Sequence, residues 1–63
     1  MAPHQQRVVE EKAELDAKLE KLNEFGQGPI FPTLPAEEQE RLVRQSKLMD
    51  KYSVVLGERI AAF

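Results

Sequence analysis

Ten residues in the middle of this chain, Gly26-Gln27-Gly28-Pro29-Ile30-Phe31-Pro32-Thr33-Leu34-Pro35, hold three of its four prolines and two of its three glycines. Proline has no N–H to give to a helix interior and glycine is a poor helix former, so no regular element runs through this stretch. On either side, apolar residues recur at helical spacing among charged ones. The chain is therefore constrained to two helices that fold back on one another. A helical hairpin is thin, and 63 residues allow one domain, residues 1–63, with no second core.

The spacing predicts a first helix over 4–25, a loop over 26–34 and a second helix over 35–62. In the first, Val8, Leu15 and Leu22 recur every seven residues, with Leu19 and Phe25 widening the stripe. Gly26 is expected to end it in the left-handed conformation that glycine tolerates. The second helix is expected to open at Pro35, whose fixed φ suits a first turn, with Glu37 and Glu38 beside the positive end of the helix dipole. Leu42, Met49, Leu56 and Phe63 then repeat every seven residues, and Gln45, Tyr52 and Arg59 fill the intervening seam positions. Matching the two patterns antiparallel gives facing residues whose numbers sum to 67, among them Leu22 with Gln45, Leu15 with Tyr52, Glu11 with Leu56 and Val8 with Arg59. Phe31 and Leu34 are expected to close the loop end as a plug.

Val9, Val43, Leu48, Val54, Val55 and Ile60 do not all fit that seam. Each would gain about 1.5–3 kcal/mol if covered, and a two-helix unit cannot cover them. The fold class that follows is all-α, an antiparallel two-helix hairpin assembling into a homo-oligomeric helical bundle. With no cysteine the chain has neither a disulfide framework nor a Cys-based metal or redox site, and small chains without such staples commonly self-associate. No apolar run reaches about 18 residues, which excludes a spanning helix. The first residues lack the basic and apolar regions of a signal peptide, so a cytoplasmic protein is expected.

Chemistry is sparse. The single histidine, His4, lies near an end, and the carboxylates of the first helix are spread around it among lysines. Neither a metal site nor a cofactor is expected, and the chain does not read as an enzyme. Nor does it read as a binder of DNA or RNA polymers, being acidic overall and without a recognised motif. Arg59 stands out, because packing at a seam position favours an aliphatic side chain. It is either an ion-pair partner of Glu11 or of another subunit, or a guanidinium fork for phosphate. Gly57 beside it costs about 1 kcal/mol relative to alanine in a helix and suggests close approach of a backbone or ligand. Arg7 would be a second cation, and Tyr52 is core or a surface on which a base could stack.

The opening His4-Gln5-Gln6-Arg7-Val8-Val9-Glu10-Glu11-Lys12-Ala13-Glu14-Leu15-Asp16 resembles a family of very small phage and prophage proteins with members in crAss-like phages. So do Phe31-Pro32-Thr33-Leu34-Pro35 and the ending Tyr52-Ser53-Val54-Val55-Leu56-Gly57-Glu58-Arg59-Ile60. A Leu/Glu-rich first helix with a second ending in Leu-x-x-Arg-Ile is also similar to the hairpin domain of phage sponges that counter CBASS and Thoeris immunity. That resemblance implies a homo-oligomer, commonly a hexamer, in the host cytoplasm during infection or from a prophage. It implies pockets between subunits that sequester a cyclic oligonucleotide or a cyclic ADP-ribose-type signal without catalysis. The family's arginine near the end of the second helix corresponds to Arg59. The remaining ligand-binding candidates are Arg7, Tyr52, Gly57 and Glu11. The alternative is a small oligomeric module that docks on a host or phage protein.

Overall fold

The computed structural model describes all residues, Met1–Phe63. Two helices, α1 (Pro3–Gly26) and α2 (Ala36–Ala61), pack along their lengths and are joined by a connection that contains one 3-10 turn, Phe31–Thr33. There are no strands. Pro3 occupies the first turn of α1, where a missing N–H costs nothing, and the Ala2 N–H donates to Gln5 Oε1 at 3.0 Å. Glu37 and Glu38 lie in the first turn of α2 and Arg59 in its last, all in the direction the helix dipole favours.

The helix ends depart from expectation in two places. Gly26 is the last residue of α1 rather than a left-handed stop, and no glycine has a positive φ. The helix ends by tightening: the Gln27 N–H reaches both Asn23 O and Glu24 O, and the Gly28 N–H reaches Phe25 O. These bonds occupy carbonyls that a left-handed cap would otherwise satisfy. Pro35 caps α2 from outside with an extended ψ of 147°, and its carbonyl accepts the Glu38 and Gln39 N–H groups.

The connection is compact because its polar groups are tied back. Gln39 Nε2 donates to Leu34 O at 2.8 Å and to Pro32 O at 3.3 Å. Phe31 sets its edge against the Phe25 ring, centroids 6.4 Å apart at 88°, the geometry aromatic quadrupoles favour. Phe31 also borders a hollow with Leu22 and Leu42. It therefore closes the loop end, as expected of a plug there.

The molecule measures 46 × 15 × 13 Å, one helix pair thick. That thickness leaves only Val8, Ser53 and Leu56 buried, with Leu56 at 0% exposure. The heptad residues Val8, Leu15, Leu22, Leu42, Met49 and Leu56 are all buried or half-buried. The intervening positions are not the expected ones. Ser46, Ser53 and Ile60 turn inward, while Gln45, Tyr52 and Arg59 are exposed. On α1, Lys12 and Leu19 turn inward in place of Glu11 and Lys18.

Cross-helix pairs give the register. Asp16 meets Ser53, Asn23 meets Ser46, and Gly57 lies under the Lys12 side chain, each pair having residue numbers that sum to 69. These pairs are not members of the expected set, whose numbers sum to 67. Leu15/Tyr52, Leu22/Gln45, Glu11/Leu56 and Val8/Arg59 are not the facing pairs. The apolar heptads alone fit both registers; hydrogen bonding and the inward turn of Leu19 and Ile60 accompany the one adopted.

Candidate functional site

The seam has two unlike flanks. Asp16 and Asn23 of α1 meet Ser53 and Ser46 of α2 along the first. At about 100° per residue, the opposite flank carries Arg7 and Glu11 from α1 and Tyr52 and Arg59 from α2. The register of 69 sets Arg59 within a turn of Glu11, and Arg7 a further turn toward the ends of the chain. All four side chains are exposed.

On α2 this second flank is continuous. Leu48, Tyr52, Val55 and Arg59 follow one another at spacings of four, three and four residues, which confines them to about 60° of arc. Leu48 is 61% exposed, Val55 51% and Tyr52 44%. An apolar stripe of this length on a helix that already has a packed face is uncommon for a lone unit. Arg59 stands at its end, and neither of the chain's two ion pairs, Lys12–Asp16 and Arg41–Glu38, involves it. The seam position expected for Arg59 is therefore corrected. So is the core position for Tyr52, because α2 is rotated to bring Ser53 and Ile60 inward. The Arg59–Glu11 pair within one hairpin does not form.

Gly57 is separated from this group. It lies on the first flank, where an added Cβ would meet only the Lys12 Cε at 3.3 Å. What approaches Gly57 is the stem of a lysine from the same chain. A lysine stem is flexible and can shift, so the position tolerates alanine sterically. Of the five sequence candidates, the structure gathers Arg59, Arg7, Tyr52 and Glu11 on one flank and leaves Gly57 on the other.

The first flank is where residues not singled out in the sequence converge. Lys12 Nζ donates to Asp16 Oδ2 at 2.7 Å, and the Ser53 hydroxyl donates to Asp16 Oδ1. Ser46 Oγ donates to Asn23 Oδ1 at 2.9 Å. The Lys12 hydrogen bond first, then that of Ser53, hold the Asp16 carboxyl below the ordinary value of 3.8, against a smaller opposing effect of partial desolvation. Glu20, Glu24 and Asp50 line the open groove beside it. No three His, Cys, Asp or Glu side chains converge in a metal-binding arrangement. The signal for these pairs was present: Asp16 and Asn23, like Ser46 and Ser53, recur at seven residues beside the apolar heptads. Short polar side chains next to a seam read as surface until a partner is found for them.

A depressed folded-state pKa stabilises the fold above the unfolded value and loses that contribution as pH falls through the folded one. Asp16→Asn should therefore melt below the parent protein at pH 7. The gap should close progressively as pH falls from about 4 through the lowered folded value, below which both chains are uncharged at residue 16. A gap of constant size from pH 7 to pH 2 would show that the Asp16 charge does not act through Lys12 and Ser53.

The family model described as Sequestin matches residues 2–62. A protein of Enterobacteria phage T4, described as an uncharacterized 7.5 kDa protein in the denB-rIIB intergenic region, is 40% identical over 63 residues. That alignment covers 100% of this chain and 98% of the relative. No solved structure matches the chain. No helix is long and apolar enough to cross a membrane.

Proposed function

Because the chain belongs to the Sequestin family, a family of small phage proteins, we propose that it is an anti-defence sponge: a homo-oligomer that binds a cyclic nucleotide immune signal in the host cytoplasm and withholds it without turnover. The family's name denotes sequestration. The observation that carries the reading is the position of Arg59, exposed and without an ion-pair partner at the end of the Leu48–Tyr52–Val55 stripe. If copies of the chain cover that stripe against one another, Arg59 falls at the boundary between subunits. Symmetry then presents several identical guanidinium groups to one ligand. A cyclic oligonucleotide, or a cyclic ADP-ribose derivative, offers phosphates for Arg59 and Arg7 and bases for the Tyr52 ring. Stoichiometric capture needs only such contacts and no nucleophile or base. Glu11, on the same flank, would face the donor groups of a base or of a neighbouring arginine rather than phosphate.

The test is a panel of cyclic di- and trinucleotides and cyclic ADP-ribose isomers, read as thermal stabilisation. A bound signal at 100 times its Kd should add about 2.7 kcal/mol. Arg59→Ala should leave the mass of the assembly unchanged and remove that stabilisation. Arg59→Lys keeps the charge but not the bidentate fork, and should retain only part of it. If Arg59→Ala dissociates the protein and no member of the panel stabilises the parent, the arginine is an intersubunit ion-pair residue and the sponge reading fails.

A second reading, docking on a host or phage protein, is favoured by a separate observation. Phe25, Ile30 and Val43 are 36%, 58% and 46% exposed near the loop end, away from Arg59. Three apolar side chains there would suit a partner helix. A parent protein that ignores the whole panel yet shifts in mass with one phage or host protein would favour it.

A further inference from the structure

The exposure of Tyr52 and Arg59 depends on which way α2 is turned, and two arrangements of α2 share the same apolar residues. Leu42, Met49 and Leu56 face α1 in either. In one, Gln45, Tyr52 and Arg59 complete the seam; in the other, Ser46, Ser53 and Ile60 do, and Tyr52 and Arg59 face outward. The two differ by a rotation of α2 of roughly 50°. The structure has the second, and its polar seam residues are matched. Ser53, only 8% exposed, donates to Asp16, and Ser46 donates to Asn23. No buried side-chain polar atom lacks a partner.

Both pairs sit at the same place in successive heptads, since 16 and 23, like 46 and 53, are seven apart. Turning α2 to the other arrangement breaks both pairs together, and Lys12 loses its place across Gly57 at the same step. Polar pairs bordering an apolar seam specify register in this way because the alternative arrangement forfeits both hydrogen bonds at once. We propose that the Asp16–Ser53 and Asn23–Ser46 pairs select which of two overlapping heptad stripes α2 turns inward, and so keep Tyr52 and Arg59 displayed. Asp16, Asn23, Ser46 and Ser53 are then positioning residues for the opposite flank of the hairpin, which they never touch. This assignment does not depend on what that flank binds.

The chain has no cysteine, so engineered cysteine pairs report register without interference. One reporter, Asn23→Cys with Ser46→Cys, closes an intramolecular disulfide in the register of 69. The other, Leu22→Cys with Gln45→Cys, closes in the register of 67. Each is placed in the parent background and in one where the remaining members of the polar pairs are alanine, which keeps helix propensity high. Circular dichroism confirms that all variants are helical, and non-reducing mass analysis separates intramolecular from intermolecular disulfides. In the parent background the first reporter should close and the second stay open. Alanine replacement should raise closure of the second reporter about threefold or more. Asp16→Asn, which still accepts from Ser53, should keep it open. A second reporter that stays open in the alanine background while the first closes undiminished would overturn the proposal and assign register to apolar packing alone.

Discussion

Replacing Leu56 with alanine should unfold the isolated hairpin. Leu56 is the only side chain with no solvent exposure, and with Val8 it makes up the buried apolar core. Truncating a buried leucine costs about 2–5 kcal/mol, through lost transfer energy and the cavity left behind. A domain of this size rarely has more than about 3–5 kcal/mol in total, so the substitution removes most or all of the fold. The helical signal at 222 nm should be lost at 25 °C in dilute protein and recovered partly at high concentration if assembly stabilises the folded chain. A Leu56→Ala protein melting within a few degrees of the parent would mean that the seam around Val8 and Leu56 is not the core of the molecule.

Val55→Asp should do the opposite: leave the hairpin folded and separate the copies. Val55 is 51% exposed, and substitutions at such positions change the stability of a single unit by about 0.5 kcal/mol or less. In the proposed assembly the same residue is covered, where an unpaired carboxylate costs several kcal/mol. Sedimentation should show the mass of one chain with helical content retained, and nucleotide-induced stabilisation should disappear because Arg59 no longer lies at a subunit boundary. If the mass of Val55→Asp equals that of the parent, the copies meet elsewhere and the Leu48–Val55 stripe needs a different partner. The two substitutions sit one residue apart, yet one should abolish the fold and the other the assembly. That contrast follows from the direction in which each side chain points.

How that direction is set explains what could be read in the sequence. The break between Gly26 and Pro35 and the seven-residue recurrence of Val8, Leu15, Leu22, Leu42, Met49 and Leu56 identify a helical hairpin without any structure. Those signals are local: they depend on backbone chemistry and on residues three, four and seven apart. The same recurrence led to an expectation for Tyr52 and Arg59 that is wrong in detail. A seven-residue repeat fixes one inward position per two turns and leaves the position between them to be chosen from neighbours about 100° apart. Gln45, Tyr52 and Arg59 look the better choice on size, since serine contributes little apolar area.

The candidate flank was legible in its residues but not in its placement. An arginine at a seam position is costly, whereas in the structure Arg59 is exposed at the end of an apolar stripe. Gly57 lies two residues before Arg59, so on a helix the two point about 160° apart, and Gly57 faces Lys12 instead. The chain by itself determined two helices, their order, the break between them and the apolar residues that must meet. Only the tertiary structure decided the register and the rotation of α2, and with them which face is left for Arg59. The physical reason is that the bonds accompanying that choice, Asp16 with Ser53 and Asn23 with Ser46, join residues 37 and 23 positions apart. Their worth exists only once both helices are in place.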